Sequence, residues 1–415
     1  MQSSLKIVLA FLVLYFFLGL SLKSTCSGDP TSLFFDAQRA HTPIYSEKRI
    51  QQAVQFADNT EPPSGNQTSP PQMCVGIASI RREGISYLKS TLGSLLHGLS
   101  GEERNSLHTV VLLAHLDQTE HPDYGQQWLG SLADGLPSYS DSPERQALAE
   151  AMGTQGHSIK AKFDYSLVME ECYNTGAQYI LMIEDDVVFM DGWLHRTMEA
   201  LDTARIKTLS RRDNSKFLYL RLFYYEGLLG WNAESWPKYV AWSLTAMMSV
   251  LGFMLLLRWA VPQTRLYLGR PVLALVTFIF VPLLILLYFA AGANCMLCQP
   301  SGVHLMPEYA CCGQGLVFPR VAVGDELLPR FQSERWNQLP TDSFIEWHAE
   351  TTGGLRWALT PVVMQHIGGK SSHGVARDAY GIMTPTHIWN VGFEQNDVSS
   401  LANEHREMDR EDIKF

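Results

Sequence analysis

Three consecutive acids, Glu184, Asp185 and Asp186, form the first group of residues in this sequence that could do chemistry. They follow the apolar run Tyr179–Ile183 and precede further apolar residues, in the stretch YILMIEDDVVFM. Such an unbroken apolar run predicts a strand buried on both faces, as in a parallel sheet covered by helices. Carboxylates at the carboxyl end of such a strand can hold a divalent cation that neutralises phosphate. One hypothesis is therefore a metal and nucleotide-diphosphate site; the alternative is a solvated acidic turn.

Residues that suit the same chemistry occur before and after the acids. Arg81 and Arg82 end an earlier apolar run, and a guanidinium group suits phosphate, although a solvated strand end is the commoner reading. Later in the chain come the glycine turn Gly313-Gln314-Gly315, Asp342 in the segment TDSF, and His366 in the segment QHIGG. Asp342 could instead be the N-cap of a helix, and His366 could be a histidine of the core.

Strand and helix patterns alternate along the first half of the chain. Apolar runs at 73–80, 109–116 and 217–224 predict strands, and helical spacing predicts helices at 84–99, 159–173 and 192–204, the last with Asp191 as its N-cap. After residue 312 come a strand, a helix at 324–331 and a final module at 355–373. This alternation indicates an α/β sheet of nucleotide-binding type. Neither half has enough strands for a domain, so we predict one catalytic domain that is split in sequence.

Three long apolar segments, at 7–22, 240–257 and 271–293, precede or interrupt these patterns. The second and third contain no charged residue, which predicts a membrane hairpin. Their connecting loop carries Arg258, Arg265 and Arg270 and no acid, which predicts a cytosolic loop. The first segment could be a cleaved signal peptide or an uncleaved signal anchor, and we favour the anchor. Three spans would place both halves of the split domain in the lumen.

The net charge and the cysteines indicate which class of protein this is and in which compartment it lies. The formal net charge is -10 and no long basic run occurs, which argues against a nucleic-acid-binding surface. A lumenal position would put all 7 cysteines in an oxidising compartment. The pattern Cys295-x-x-Cys298 followed by Cys311-Cys312 could hold zinc, but we favour disulfides. A strained vicinal bridge between Cys311 and Cys312 is one pairing that could form, and the sequence does not determine the connectivity.

The order of these groups resembles that of glycosyltransferases of the GT-A fold, a Rossmann-like mixed sheet flanked by helices. Their DxD-like metal motif, glycine-rich loop, acidic catalytic motif and metal-binding histidine are matched by Glu184-Asp185-Asp186, Gly313-Gln314-Gly315, Asp342 and His366. A signal anchor and an inserted hairpin, with EDD in place of DxD, make the layout similar to the Golgi N-acetylgalactosamine transferase family that modifies glycosylphosphatidylinositol (GPI) anchors. The resemblance covers nearly all of residues 1–395.

The resemblance implies a role for each group of residues. Asp186 and His366 would ligate Mn²⁺, which bridges the phosphates of the donor, UDP-N-acetylgalactosamine (UDP-GalNAc). The nucleotide and sugar would be contacted by Ile77, Ser79, Arg81, Arg82, Glu184, Asp185, Gly313 and Gly315. An inverting reaction needs a base on the acceptor hydroxyl; Asp342 is the candidate and Glu346 the reserve. The acceptor would be a mannose of a GPI glycolipid or GPI-anchored protein, in the Golgi lumen beside the lipid bilayer.

These expectations divide the chain into six parts. They are a cytosolic tail with the anchor (1–22), a lumenal stem (23–72), two parts of the catalytic domain (73–239 and 294–395), the hairpin (240–293) and a charged tail (396–415). Two other functions fit part of the pattern. An N-acetylglucosamine transferase acting on N-glycans would share the fold without needing the hairpin. A non-catalytic membrane receptor or chaperone would keep the fold without the reaction.

Overall fold

The computed structural model describes residues 2–61, 70–213, 215–297, 299–306, 312–369 and 388–412. Cys298, Cys311, part of the predicted stem and the end of the predicted module at 355–373 lie outside the described residues. The chain divides into two compact units. The helical unit comprises Met1–Thr42 and Glu226–Gln299, and the sheet unit comprises Pro43–Tyr225 and Pro300–Phe415.

Nine strands belong to the described part of the sheet unit. They are β1 (Met73–Ser79), β2 (Leu107–Leu113), β3 (Tyr179–Ile183), β4 (Val187–Phe189), β5 (Phe217–Arg221), β6 (Gly302–Leu305), β7 (Gly315–Pro319), β8 (Leu355–Thr360) and β9 (Met364–His366). Seven of them form one mixed sheet in the order β2-β1-β3-β7-β5-β8-β6. The other two, β4 and β9, pair with each other.

The strand before the acids, β3, pairs with β1 in parallel and with β7 in antiparallel orientation. All five of its residues are buried, as the unbroken apolar run predicts. Because β7 runs against β3, the sheet is mixed rather than parallel. Strands from before and after the predicted hairpin stand side by side in this one sheet. The prediction of a mixed α/β sheet flanked by helices is confirmed.

The longer helices surround this sheet or belong to the helical unit. They are α1 (Gln2–Thr25), α2 (Tyr45–Asn59), α3 (Leu88–Leu96), α4 (Pro143–Gly153), α5 (His157–Asn174), α6 (Trp193–Leu209), α7 (Trp236–Ala260), α8 (Arg270–Ala290), α9 (Thr341–Thr352) and α10 (Val398–Asp412). Shorter helices are Ala37–Ala40, Gly101–Ser106, Gln127–Leu132, Ala293–Met296 and Val391–Glu394, and a helical segment covers 320–333.

Two helix starts differ from the sequence prediction. The helix expected at 84–99 covers only Leu88–Leu96, because Gly84, with a φ of 74°, lies in a turn in which Arg82 and Ile85 pair with each other. The prediction that Asp191 caps α6 is wrong. Gly192, with a φ of 71°, is the N-cap residue, and the Asp191 carboxylate instead lies 2.7 Å from Nδ1 of His405 on α10.

The helix α5 packs against the central strands and supplies much of the core. Its residues Leu167 and Val168 are buried together with Ile180 of β3 and Phe318 of β7. A disulfide between Cys74 and Cys172 joins β1 to α5. This bond agrees with the oxidising compartment that the sequence predicts for the cysteines.

The helical unit contains three helices that are long and apolar enough to cross a membrane. Among the described residues they lie at Leu5–Thr25, Glu226–Ala260 and Arg270–Ala290, which are the three apolar segments from which spans are predicted. Within the unit, the rings of Phe11 and Phe280 stack with centroids 3.8 Å apart, and a disulfide joins Cys26 to Cys295. The first segment is thus tied covalently and by packing to the chain around the third.

Candidate active site

Strand pairing brings His366 next to the acids. The triplet follows β3 directly, and the chain then enters β4, where Val187 lies opposite His366 of β9. The backbone N–H of Ile367 donates to the carbonyl oxygen of Asp186 at 2.9 Å. Two residues that are far apart in sequence therefore lie side by side at the carboxyl end of β3.

Glu184, Asp186 and His366 form a group that could hold a metal ion. One ligand atom from each residue can be chosen so that all three lie within 4.8 Å of one another. Nε2 of His366 lies 3.4 Å from Oδ2 of Asp186, and both residues are only 5% exposed. Carboxylate and imidazole groups both ligate divalent metals. The geometry therefore suits a cation.

Charge repulsion among the acids also favours a cation here. Burial raises the pKa of Glu184 to about 8, and the negative charge of Asp186 adds to that effect. Burial opposes ionisation of Asp186 as well, but hydrogen bonding and charge from His366, together with Arg82, lower the pKa of this carboxyl below its usual value. The pKa of His366 is raised because Asp186 outweighs the effect of burial. A bound cation would relieve the repulsion between the carboxylates.

Two further observations fit a metal ligated by Asp186. Its Oδ1 atom is buried and has no hydrogen-bond partner among the residues that the structure describes. The backbone of Gly368 closes over the same group, since a Cβ atom there would lie 2.1 Å from Oδ2 of Asp186 and 2.8 Å from Nε2 of His366. Only glycine allows the backbone this close to the two predicted ligands.

Of the two predicted arginines, Arg82 is the one that contacts the acids. Its Nη1 atom lies 2.7 Å from Oδ1 of Asp185 and its Nη2 atom 3.1 Å from Oδ2 of Asp186. Nε of Arg82 is buried and has no partner in the described part of the chain. Arg81 is exposed, and its backbone N–H donates to Nε2 of His115 at 2.9 Å.

Asp185 and the turn after it are held by hydroxyl groups. Ile77 and Ser79 are both buried in β1, and Oγ of Ser79 donates to Oδ2 of Asp185. On α3, Oγ1 of Thr91 lies 2.8 Å from the carbonyl oxygens of both Asp185 and Val187. The same hydroxyl accepts the backbone N–H of Val187 at 3.2 Å. The backbone of the triplet is therefore fixed by side chains from other elements.

The glycine turn lies against Glu184. Nε2 of Gln314 donates to Oε2 of Glu184 at 3.3 Å, while its own Oε1 is buried and has no partner among the described residues. A Cβ atom at Gly313 would lie 3.7 Å from Oε1 of Glu184. At Gly315 it would lie 2.3 Å from Sδ of Met364, so this position needs glycine for close packing.

Asp342 lies at the glycine turn and does not cap its helix. α9 begins at Thr341 with Pro340 as the N-cap residue, so the alternative role of Asp342 as a cap is wrong. A Cβ atom at Gly313 would lie 3.4 Å from Cβ of Asp342. Asp342 and Glu184 therefore flank the same turn, with the carboxyl group of Asp342 only partly buried.

The carboxylate of Glu346, the reserve base, is paired with arginine side chains. Its Oε1 accepts from Nη2 of Arg221 at 2.7 Å, and its Oε2 from Nη1 of Arg356 at 2.8 Å. Tyr219 also donates to Oε1. Both oxygens thus serve ion pairs within the sheet unit, which leaves Asp342 as the better placed of the two carboxylates.

Several residues at the site were not predicted from the sequence. Thr91 holds the turn after the triplet, and Nε2 of His121 lies 3.1 Å from Oγ of Ser79. The buried hydroxyl of Tyr165 has no partner among the described residues, and the charges of Glu184 and Asp342 add to burial in raising its pKa. None of these side chains lies in a motif, and only the fold brings them to the acids.

Known glycosyltransferases resemble parts of this chain. Over residues 73–365 the chain matches the family model described as GPI-N-acetylgalactosamine transferase PGAP4. It is 30% identical over 135 residues to an alpha-1,3-mannosyl-glycoprotein 4-beta-N-acetylglucosaminyltransferase B of Danio rerio, covering 28% of this chain and 23% of that protein. The A enzyme of Bos taurus is 26% identical over 166 residues, covering 37% of this chain and 29% of that protein.

The chain thus spans about a quarter of the length of the curated relatives that it matches. The match to the family model is much longer, because it runs from the start of β1 to β9 and includes the acids, the glycine turn and Asp342. By this match the chain belongs to the GPI-N-acetylgalactosamine transferase PGAP4 family.

Proposed function

We propose that this protein is a membrane-bound glycosyltransferase that moves N-acetylgalactosamine from UDP-GalNAc to a mannose of a GPI glycan in the Golgi lumen. The observation that carries the proposal is the group of Glu184, Asp186 and His366 at the end of β3, with Arg82 beside it. Carboxylates, an imidazole and a guanidinium together suit a metal-bound diphosphate. The family match supplies the donor sugar and the acceptor.

Asp186 and His366 would hold Mn²⁺, with Glu184 as a third possible ligand or a contact to the donor. Bound there, the metal would supply positive charge that stabilises the departing diphosphate. Arg82 would contact the diphosphate oxygens, aided by its two fixed ion pairs. Oε1 of Gln314, which has no partner among the described residues, would accept a hydrogen bond from the sugar.

Asp342 would act as the general base. It would take the proton of the acceptor hydroxyl as that oxygen bonds to the anomeric carbon and the bond from this carbon to UDP breaks. Its position at the glycine turn, close to Glu184, would place the base beside the bound sugar. The inverting outcome follows from a single displacement of this kind.

The three spans support a lipid-linked acceptor. The sheet unit is interrupted in sequence by two apolar helices, so its chain must return to the bilayer at both ends of the insertion. Arg258, Arg265 and Arg270 between the helices favour a cytosolic loop, which would place both halves of the sheet unit in the lumen. A transferase for soluble glycans would not need this insertion.

The second candidate is a transferase that adds N-acetylglucosamine to N-glycans, because the curated relatives carry that name. The test is a donor screen with purified full-length protein and Mn²⁺, scored by the mass shift of GPI-glycolipid and N-glycan acceptors. Transfer from UDP-GalNAc to the GPI acceptor supports the proposal, and transfer to the N-glycan alone supports the second candidate. No transfer with any donor would favour a receptor or chaperone, and Asp186→Ala is the inactive control.

A further inference from the structure

His121 is a buried histidine that has no role in the mechanism above. It is 3% exposed, and its Nε2 atom lies 3.1 Å from Oγ of Ser79 in β1. Oγ of Ser79 donates to Oδ2 of Asp185, and Oδ1 of Asp185 accepts from Nη1 of Arg82 at 2.7 Å. Four side chains therefore form one continuous series of hydrogen bonds that ends on the guanidinium beside the acids.

The direction of these hydrogen bonds follows from the backbone next to His121. The N–H of Asp123 donates to Nδ1 of His121 at 3.2 Å, so in the neutral ring the proton lies on Nε2. Burial lowers the pKa of His121 to about 4, with added effects from His115 and Arg82, so the ring is neutral at neutral pH. Nε2–H therefore donates to Ser79, whose own proton goes to Asp185.

This order excludes a serine nucleophile. In a catalytic Ser-His-Asp arrangement the histidine accepts the serine proton, whereas here Ser79 lies between the histidine and the aspartate and accepts from the ring. Ser79 is also only 1% exposed. The series instead supplies hydrogen-bond donors to the carboxylate of Asp185, each oxygen of which receives one fixed hydrogen bond.

We infer that His121 is a positioning residue for nucleoside-diphosphate binding, acting through Ser79 on Asp185 and Arg82. The inference rests on the function proposed above, in which Arg82 contacts the diphosphate and Asp185 the ribose or sugar. A carboxylate with one fixed donor on each oxygen presents its remaining lone pairs in a fixed direction, ready for hydroxyl groups of a ligand. Without His121 the Ser79 hydroxyl can rotate. Its hydrogen bond then no longer fixes Asp185, and through Asp185 it no longer fixes Arg82.

The test is the binding of UDP to purified full-length protein with Mn²⁺, measured by titration calorimetry. His121→Phe and Ser79→Ala should each weaken UDP binding about tenfold, as is typical when groups that orient a ligand site are removed. The double variant should be no weaker than either single variant, because both changes break the same series of hydrogen bonds. His121→Gln keeps a donor in place of Nε2 and should restore binding. His121→Asn is too short to reach Ser79 and should not.

The matched control is His304→Phe, a partly buried histidine on β6 at the other edge of the same sheet, which should bind UDP like the wild type. If His121→Phe does not fold, the comparison of His121→Gln with His121→Asn decides the matter. Equal UDP affinity in the wild type and His121→Asn, or losses that multiply in the double variant, would overturn the inference. A wild type that does not bind UDP would instead overturn the proposed function, and the inference with it.

Discussion

The three adjacent acids have three different sets of partners. Asp185 is bound by Ser79 and Arg82, Asp186 by Arg82 and His366, and Glu184 by Gln314. Of the side-chain oxygens of Asp185 and Asp186, Oδ1 of Asp186 is the one that is buried without a partner among the described residues. These differences support Asp186 as the metal ligand and Asp185 as a residue that orients its neighbours.

The role of Asp342 as the general base can be tested, because its loss should change kcat but not the KM for the donor. Replacing Asp342 with Asn removes the proton acceptor but keeps the size and polarity of the side chain. We expect kcat to fall about a hundredfold to ten-thousandfold, the usual contribution of a general base. The KM for UDP-GalNAc should change little, since in the proposed mechanism Asp342 would contact the acceptor rather than the nucleotide. Initial rates with varied donor and acceptor measure both quantities.

Glu346→Gln is the matched comparison for Asp342→Asn. It removes the same charge one helical turn later but breaks ion pairs to Arg221 and Arg356. We expect a loss of stability of about 3 kcal/mol, typical of breaking a largely buried pair, with kcat of the folded fraction close to the wild type. A full rate in Asp342→Asn would contradict the assignment of the base to Asp342, and a loss of kcat confined to Glu346→Gln would assign the base to Glu346.

Part of the site could be predicted from residue types and order. The acids, Arg82 and His366 are polar residues at strand ends, where a ligand is expected. Thr91, His121 and Tyr165 could not be predicted, because their neighbours in sequence look like those of any helix or loop. Their importance comes from contacts across the fold, such as that between Thr91 and the carbonyl oxygen of Asp185.

At the scale of elements, α10 is held to the sheet unit by a histidine between two acids. Nδ1 of His405 lies 2.7 Å from Oδ1 of Asp191, and its Nε2 lies 3.0 Å from Oε2 of Glu103. Hydrogen bonds to Asp191 and Glu103 outweigh burial and raise the pKa of His405 to about 10. The charged ring of His405 therefore holds α10 against the rest of the sheet unit, although the highly charged sequence of this helix does not indicate such a contact.

This ion pair predicts a pH dependence for α10. Because the pKa of His405 is raised on folding, its stabilisation is complete below about pH 6.5 and is lost as the pH rises towards 10. Between these pH values the free energy of opening α10 should fall as the pH rises in the wild type. The fall should be steeper than in His405→Gln by up to about 1.4 kcal/mol per pH unit. Hydrogen exchange of the α10 amides, corrected for intrinsic rates, measures this difference.

His157→Gln is the control for this pH dependence. It changes an exposed histidine at the start of α5 and should keep the wild-type slope. Parallel slopes in the wild type and His405→Gln between pH 7 and pH 9 would contradict the predicted charge on His405.

Elements with a strong hydrophobic pattern were predicted well, and their junctions less so. The apolar run of β3 and the helical spacing of α5 both appear in the structure close to the predicted bounds. The starts of α3 and α6 differ because Gly84 and Gly192 adopt positive φ angles. Pairing partners such as β4 with β9 could not be predicted, since strands of three residues carry almost no periodic signal.

For the whole molecule, the disulfide of the helical unit bears on topology. Cys26 follows α1 and Cys295 follows α8, so their bond requires both positions to lie on one side of the membrane. Disulfides form in oxidising compartments, which favours the lumenal side for both.

The orientation can be tested by a protease site inserted between Pro262 and Thr264. In sealed membrane vesicles from cells that make the protein we expect cleavage by protease added outside, because the arginines on either side favour a cytosolic loop. A site added at the carboxyl terminus should be protected until detergent opens the vesicles. Protection of the inserted site, with cleavage at the terminus, would reverse the proposed topology.

The reaction proposed for this protein is metal-assisted glycosyl transfer at Glu184, Asp186 and His366. Its most direct measurement is the rate of transfer from UDP-GalNAc to a GPI glycolipid by purified full-length protein, before and after a chelator removes divalent cations. We expect a loss of at least about a hundredfold, recovery when Mn²⁺ is restored, and no recovery in Asp186→Asn. Undiminished transfer in the chelator, or a wild-type rate in Asp186→Asn, would contradict it.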